Sequence, residues 1–410
     1  EWGPDPFWPS LPVSFRHPLA DEIHRLLLDD PTLARLFPRD DSGVGRLGTV
    51  HTSTGRGSSL QSMSFAEALC RRSWERVSLT ESGTPTLQQQ SDALRTTLAE
   101  VRAAIRGEKL SAPCRMGLAG ILLPERADIE LPWGRLRPAT DIDLRALAHV
   151  KPHRVATMDD QVTIDYRGDV VCETALPYRI DIDPDFDPMQ PWPDRLRAHL
   201  LLGERLRDLQ LGLLLTEQDD ASGSPRIVLS WQSVFDPVLG TNGTANRDPA
   251  QMPHLDPIKL TEAACERWAR WVQLLDEHRH TSITVALSRI VRSSIERADP
   301  ADSLLDAVIA LDNLFGSKGS DLTTRIAYAV AWLLGRSAEE RHRIQKQVRN
   351  VYAVRSEVAH GEEVDDRRAR EHAELARNFV LDSIRALLAH RSDLIPLKPS
   401  RRVEILLSGG

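Results

Sequence analysis

Residues 236–257, DPVLGTNGTANRDPAQMPHLDP, place four prolines, two glycines and two asparagines in one stretch. Proline has no N–H and a fixed φ, and glycine and asparagine favour turns, so neither a long helix nor a central strand is expected to run through it. The stretch therefore reads as a domain boundary, and a chain of 410 residues is long enough to need one. The two sides differ in pattern. Residues 1–256 mix helical periods with short β-like runs, an α+β region whose texture changes near Leu118, so that two subdomains are an option. Residues 257–395 read as an all-α bundle, and 396–410, ending in ILLSGG, read as a tail.

Taken in order, the lead (Trp2, Pro4, Pro6, Trp8, Pro9, Pro12) excludes regular helix. Helices are expected over Leu19–Leu28, Phe65–Val77 and Thr86–Arg106. The glycine-rich STGRGSS at 53–59 lacks the lysine and the strand-loop-helix setting of a phosphate-binding loop, and reads as a flexible loop. VTIDY, DVVCETAL and YRIDID, between Leu118 and Asp183, read as strands. Asp181, Asp183, Asp185 and Asp187 alternate, as a divalent-cation site would require. The glycine and final glutamate of an EF-hand loop are missing and Pro184 and Pro188 interrupt the run, so an exposed acidic turn is the better reading. A leucine-dense helix from Pro193 to Thr216 and a strand, RIVLSW, complete this part.

The formal net charge of −7 is unevenly spread. From Lys259 onward 24 Lys and Arg face 22 Asp and Glu, whereas residues 1–258 hold 28 against 37. Anion-binding capacity therefore falls in the C-terminal third. Cys70, Cys114, Cys172 and Cys265 are far apart, with no CxxC and no Cys/His cluster at zinc spacing. A reducing compartment is expected, with no structural metal and no cofactor. No apolar run approaches the ~18 residues of a membrane span, and no basic-then-apolar leader is visible. The expected location is cytoplasmic, without a membrane partner. The chain opens on Glu1 and not on methionine, which suggests that an upstream piece was removed.

Past the boundary, glycine-punctuated helices are expected at Thr261–Asp276, Ser282–Ala298, Ala301–Phe315, Leu322–Leu334 and Asp366–His390. Between the last two lies RHRIQKQVRNVYAVRSEVAHG, Arg341 to Gly361. Ser337 and Glu340 predict a capping box at its start and Gly361 predicts its end. At about 100° per residue from Tyr352, Ile344, Val348, Tyr352 and Ala359 form an apolar stripe. Arg355 falls at about −60°, Ser356 at about +40° and His360 at about +80°. Arg341, Arg343, Lys346, Arg349 and Arg355 follow one another with no acidic residue between them, a basic patch suited to RNA phosphates.

Arginine and histidine on one helix face suit one reaction. RNA carries a 2′-hydroxyl beside each phosphate; its cleavage needs a base, an acid and a cation on the developing charge. Histidine titrates near neutrality and arginine holds phosphate with a fork that keeps its proton. The helix offers one histidine where two proton-transfer roles exist. Two copies meeting across a twofold axis would supply both, and small Ser356 and Ala359 allow that approach.

The segment YAVRSEVAHG (Tyr352 to Gly361), with DAVIALDNLF (Asp306 to Phe315) upstream and a helix between, resembles the Apea-like branch of the HEPN superfamily. The resemblance spans roughly Ser282 to His390. It implies a helical bundle whose R-x4-6-H motif forms a composite active site in a homodimer, acting as a metal-independent endoribonuclease in toxins or anti-phage defence. Matching residue by residue places catalysis on Arg355 and His360, with Ser356, Asp312 and Tyr352 in supporting positions. The substrate class is RNA, with tRNA one candidate and a cyclic phosphate the expected product end. The alternative is a catalytically inactive HEPN module that binds RNA or a partner protein; a magnesium enzyme built on the N-terminal aspartates is a weaker third. Residues 1–256 would then restrain the nuclease or detect a phage-derived or cellular trigger.

Overall fold

The computed structural model describes residues 18–37, 48–60, 62–78, 85–145, 153–156, 161–164, 168–182, 193–216, 226–245, 257–316 and 321–408. The chain is multidomain and mixed α and β. It forms two compact units, one of residues 1–205 with 229–246 and one of 206–228 with 247–410.

The first unit opens with α1 (Pro18–Asp29), the hairpin β1 (Gly48–Thr52) and β2 (Arg56–Leu60), α2 (Ser62–Ser78) and α3 (Leu87–Ile105). Next come β3 (Leu110–Ala119), β4 (Ile121–Leu122), β5 (Ile129–Leu131), β6 (Gly134–Pro138), α4 (Asp141–Arg145), β7 (His153–Ala156), β8 (Gln161–Ile164), β9 (Val170–Tyr178) and β10 (Ile180–Asp181). After α5 (Leu200–Leu215), whose second half belongs to the other unit, β11 (Val228–Asp236) and β12 (Gly240–Ala245) return. The main sheet has the order β12-β11-β3-β9-β6-β5, and a smaller one β10-β1-β2.

The helices expected at 19–28, 65–77 and 86–106 are present, the third with Thr86 in a full capping box. β3 starts at Leu110, ahead of the expected change at Leu118. Its sequence LSAPCRMGLA has no β-branched residue, so propensity does not mark it; antiparallel pairing with β9 from Leu110↔Tyr178 to Leu118↔Val170 makes it a strand. Gly117 sits under the buried Trp231 indole, where a Cβ would lie 1.8 Å from Nε1.

STGRGSS forms the β1–β2 turn and the β2 strand, and is not a loose loop. Thr52, Ser53 and Thr54 are buried. The hydroxyls of Thr52 and Thr54 donate to Asp236 Oδ2 at 2.7 and 2.8 Å, while Tyr178 donates to Oδ1 at 2.6 Å and the Val238 and Leu239 N–H groups complete its shell. Asp236 is fully buried. The stretch read as a boundary thus begins inside the first unit: Asp236–Ala245 closes the β11–β12 hairpin, and only 246–256 lie outside the described residues. Of the aspartate run, Asp181 pairs with Arg195, and Asp183, Asp185 and Asp187 lie outside the described residues.

The second unit contains the end of α5, the two-residue β13 (Ile258–Lys259), α6 (Glu262–Glu277), α7 (Thr284–Val291), α8 (Pro300–Phe315), α9 (Leu322–Leu334), α10 (Ala338–Ala359), α11 (Asp366–His390) and α12 (Pro399–Leu407). Asp299 caps α8 through its side chain, with Pro300 in the first turn. The helix expected over Ser282–Ala298 changes at Arg292 into a π-turn that runs to Glu296. Asp306 holds that corner, pairing with both Arg289 and Arg297.

α8 packs against α7, α10 and α11 around a core that includes Leu304, Leu311, Phe315, Val348 and Ile384. Residues 206–228 share it: Leu211, Leu214 and Leu215 are buried there, and Trp268 Nε1 donates to Leu209 O at 2.9 Å. The observed division falls at 246/247, inside the stretch read as a boundary and ten residues before the expected 256/257, and it differs further in giving 206–228 to the second unit. The expected tail is also part of the bundle. Val403 and Leu406 of α12 are buried, and Arg402, fully buried, donates to the carbonyls of Leu314, Leu394, Ile395 and Leu397. Leu314 O is one of the carbonyls that the end of a helix leaves without a partner, and the other three lie in the turn that follows α11. The helical period of about 3.6 residues marks apolar positions and cannot reveal a cationic core position.

Candidate functional site

α10 is fixed at both ends by local chemistry. Ser337 Oγ accepts the Glu340 N–H at 3.1 Å, while the Glu340 carboxylate takes the N–H of Arg336 at 2.9 Å. The return bond of the expected capping box thus falls one residue earlier than Ser337. At the other end Gly361 has φ +75°, and the Glu362 N–H reaches back to Glu357 O at 3.0 Å, closing the final turn. Glu357 and Arg368 form a two-bond ion pair, at 2.6 and 2.9 Å, between α10 and α11.

Ile344, Val348, Val351, Tyr352 and Val354 are buried. Ala359 is exposed, contrary to its place on the apolar stripe, while Val358 beside it still packs partly against the core. Arg355 is half-buried, at the centre of the buried face. Its Nε is enclosed and has no acceptor, and among the described residues its guanidinium has no hydrogen bond and no ion pair.

Beside it, Tyr352 donates its hydroxyl to Asp312 Oδ1 of α8 at 2.7 Å. Burial raises the Asp312 carboxyl above its ordinary value, against the downward pull of that hydrogen bond and of the Arg355 charge. Burial and the neighbouring Asp312 likewise push the Tyr352 hydroxyl well above the usual tyrosine range. Asp312, Tyr352 and Arg355 thus form one electrostatic group at the α8–α10 contact. The neighbouring Asn313 serves the scaffold, its Oδ1 accepting the Ala286 N–H at 3.0 Å at the start of α7.

His360 caps α10 with φ −88° and ψ 2°, its N–H bonded to Ser356 O at 3.0 Å. Its imidazole is exposed and makes no side-chain hydrogen bond among the described residues. Ser356 is half-buried. Arg355 and His360 are therefore joined through the last turn of one helix, about 7.5 Å of rise apart, and not by a bond between their side chains.

The basic residues divide into two kinds. Arg341 lies 4.0 Å over the Trp332 ring and donates Nε to Gly335 O, and Arg349 lies 5.8 Å over the Tyr328 ring. Arg343 is exposed with Glu340 at 3.6 Å, and Lys346 is exposed. Tyr328 and Trp332 were not singled out from sequence. Their signal was present: two aromatics four residues apart, in a helix with no acidic residue.

Compared with known proteins, the chain matches no family model, no curated protein and no solved structure. The site's meaning rests on its chemistry. A guanidinium with uncommitted donors can hold an anion, and an accessible imidazole one turn away can move a proton.

Proposed function

We propose that this protein is a metal-independent endoribonuclease of the HEPN type, serving defence against phage or a toxin role, with Arg355 and His360 at its catalytic centre. The observation that carries the reading is Arg355: a half-buried arginine whose Nε has no acceptor among the described residues, set about one helical turn from an exposed histidine. Leaving a buried donor unsatisfied costs roughly 1–3 kcal/mol, a cost that a phosphate oxygen would offset.

In this reading the His360 imidazole takes the proton of an RNA 2′-hydroxyl. The freed oxygen bonds to the adjacent phosphorus, the bond from phosphorus to the 5′-oxygen breaks, and His360 of a second copy protonates that leaving oxygen. The products are a 2′,3′-cyclic phosphate and a 5′-hydroxyl. Arg355 neutralises the non-bridging oxygens as charge builds on them. Asp312 and Tyr352 position Arg355, and Ser356 leaves space for the second helix. Arg341, Arg343, Lys346 and Arg349 hold the RNA backbone, tRNA being one candidate substrate. Residues of the first unit restrain the centre or receive the trigger.

The test is incubation of the purified protein with total cellular RNA in EDTA, followed by mapping of the cut ends. Cyclic-phosphate ends from wild type, with a loss of about 10²- to 10⁴-fold in His360→Ala, are expected. Cleavage that persists in His360→Ala would sink the proposal. Among the described residues no hydrogen bond orients the His360 ring, which favours a second reading, a catalytically silent module that binds RNA or a protein. Wild type that binds RNA without cutting it selects that reading.

A further inference from the structure

The α9–α10 surface carries more than scattered charge. Tyr328 and Trp332 are the large apolar side chains that this pair of helices leaves open, at 38% and 40% exposure. Four residues apart on α9, they stand on one face, about 6 Å apart along the axis. Each is paired with an arginine of α10, Trp332 with Arg341 and Tyr328 with Arg349. From 322 to 336 and from 341 to 355 the two segments contain seven Lys and Arg and no Asp or Glu.

That charge decides the occupant. A second copy seated on Tyr328, Trp332, Arg341 and Arg349 would set cations against cations, and like charges directly opposed are unfavourable; the twofold contact of the nuclease reading is placed elsewhere, at Ser356 and Ala359 in the last turn of α10. A polyanion is complementary. Flat rings and guanidinium planes add what a duplex cannot use, because paired bases are already stacked on one another. Opened strands present free base faces that stack on aromatic side chains and on arginine.

We propose that Tyr328 and Trp332, with Arg349 and Arg341 over their rings, form a stacking platform for two bases of single-stranded RNA. Arg349, the more exposed cation, takes a phosphate, and the platform delivers the strand along α10 towards His360. The assignment rests on the endoribonuclease reading for its choice of RNA, and deepens it by naming the strand form and the residues that select it.

Binding can be read apart from cutting. The probe is a fluorescein-labelled 12-nucleotide single strand with 2′-O-methyl sugars, which cannot be cleaved through the 2′-oxygen, titrated into the full chain and followed by anisotropy at several salt concentrations. Trp332→Ala and Tyr328→Ala are each expected to weaken binding about 5- to 100-fold with the salt slope unchanged. Trp332→Phe, which keeps a ring, restores most of the affinity, and thermal melts establish that each variant is folded. Arg349→Gln reduces the salt slope by about one.

Three results overturn the platform: unchanged affinity in both alanine variants, equal affinity of wild type for the same sequence as a duplex, or a change of oligomeric state in the alanine variants, which would make the face a self-interface. If wild type binds the single strand through these rings but leaves unmodified RNA intact, the nuclease reading fails while the platform stands. If it cuts RNA and the ring variants bind and cut like wild type, the platform alone fails.

Discussion

Asp312 is the residue whose chemistry is most informative about the site. Its carboxyl is raised by burial despite a 2.7 Å hydrogen bond from Tyr352 and the nearby Arg355. A carboxyl whose folded value lies above its unfolded one favours the folded state below the unfolded value, and that contribution is lost as pH rises through the folded value. At neutral pH the ionised group therefore costs stability. Asp312→Asn keeps an oxygen for the tyrosine and removes the charge. It is expected to raise the melting temperature at pH 7, with the gain over wild type shrinking as pH falls towards the ordinary carboxylate range near 3.8, measured by thermal melts across that range. RNA cleavage by the same variant should fall by about tenfold or more if Asp312 positions Arg355, giving stability and activity opposite signs. Sequence spacing placed Arg355 on the seam but could not reveal an Nε without an acceptor, since that depends on which groups of α8 surround it.

At the scale of elements, the helices of the second unit were legible because their signals are local. Caps at Thr261, Asp299 and Ser337 and stops at Gly335 and Gly361 act within four or five residues. β3 and α12 were not legible, for a common reason: both take their structure from distant partners. β3 is defined by β9, about sixty residues on. α12 is defined by Arg402, whose guanidinium serves the carbonyl end of α8 at Leu314 and the turn at Leu394–Leu397. Burial without a carboxylate lowers the Arg402 side chain to about 10. Arg402→Met fills similar volume but takes the donor away from Leu314 O and Leu397 O, while Leu394 O keeps the Leu397 N–H and Ile395 O keeps the Ser282 hydroxyl. At roughly 1–3 kcal/mol for each buried group left unsatisfied, the two carbonyls make the expected destabilisation of the bundle roughly 2–6 kcal/mol, measured by urea denaturation with the slope unchanged.

For the whole molecule, the division of the chain sets how its parts can be tested. The second unit is discontinuous, taking residues 206–228 from the far side of the β11–β12 hairpin. Leu211, Leu214 and Leu215 enter its core, and Arg385 donates to the carbonyls of Leu214 and Leu215. A fragment beginning at Pro257 lacks these groups. It should melt at lower temperature than the helical transition of the full chain, and adding a peptide of residues 206–228 should raise that temperature, followed by circular dichroism. A fragment as stable as the full chain, and indifferent to the peptide, would contradict the observed division. The peptide-completed fragment is also the material in which restraint by the first unit is measured: higher cleavage than the full chain is the expected result. No helix among the described residues is long and apolar enough to cross a membrane.

The sequence by itself determined where most helices begin and end, the mixed α and β character of the first part, the basic run on α10 and the pairing of Arg355 with His360 on one helix. Those features are set by short-range capping, periodicity and charge, which act within a few turns. Only the tertiary structure decided that 206–228 joins the helical unit, that residues 399–407 pack onto the bundle through Arg402, Val403 and Leu406, and that Tyr328 and Trp332 lie under arginines. It also decided that Arg355 stands half-buried beside Asp312 and Tyr352 without an acceptor. Each depends on which surfaces meet after the chain has folded back over tens to hundreds of residues, and no local pattern encodes that choice.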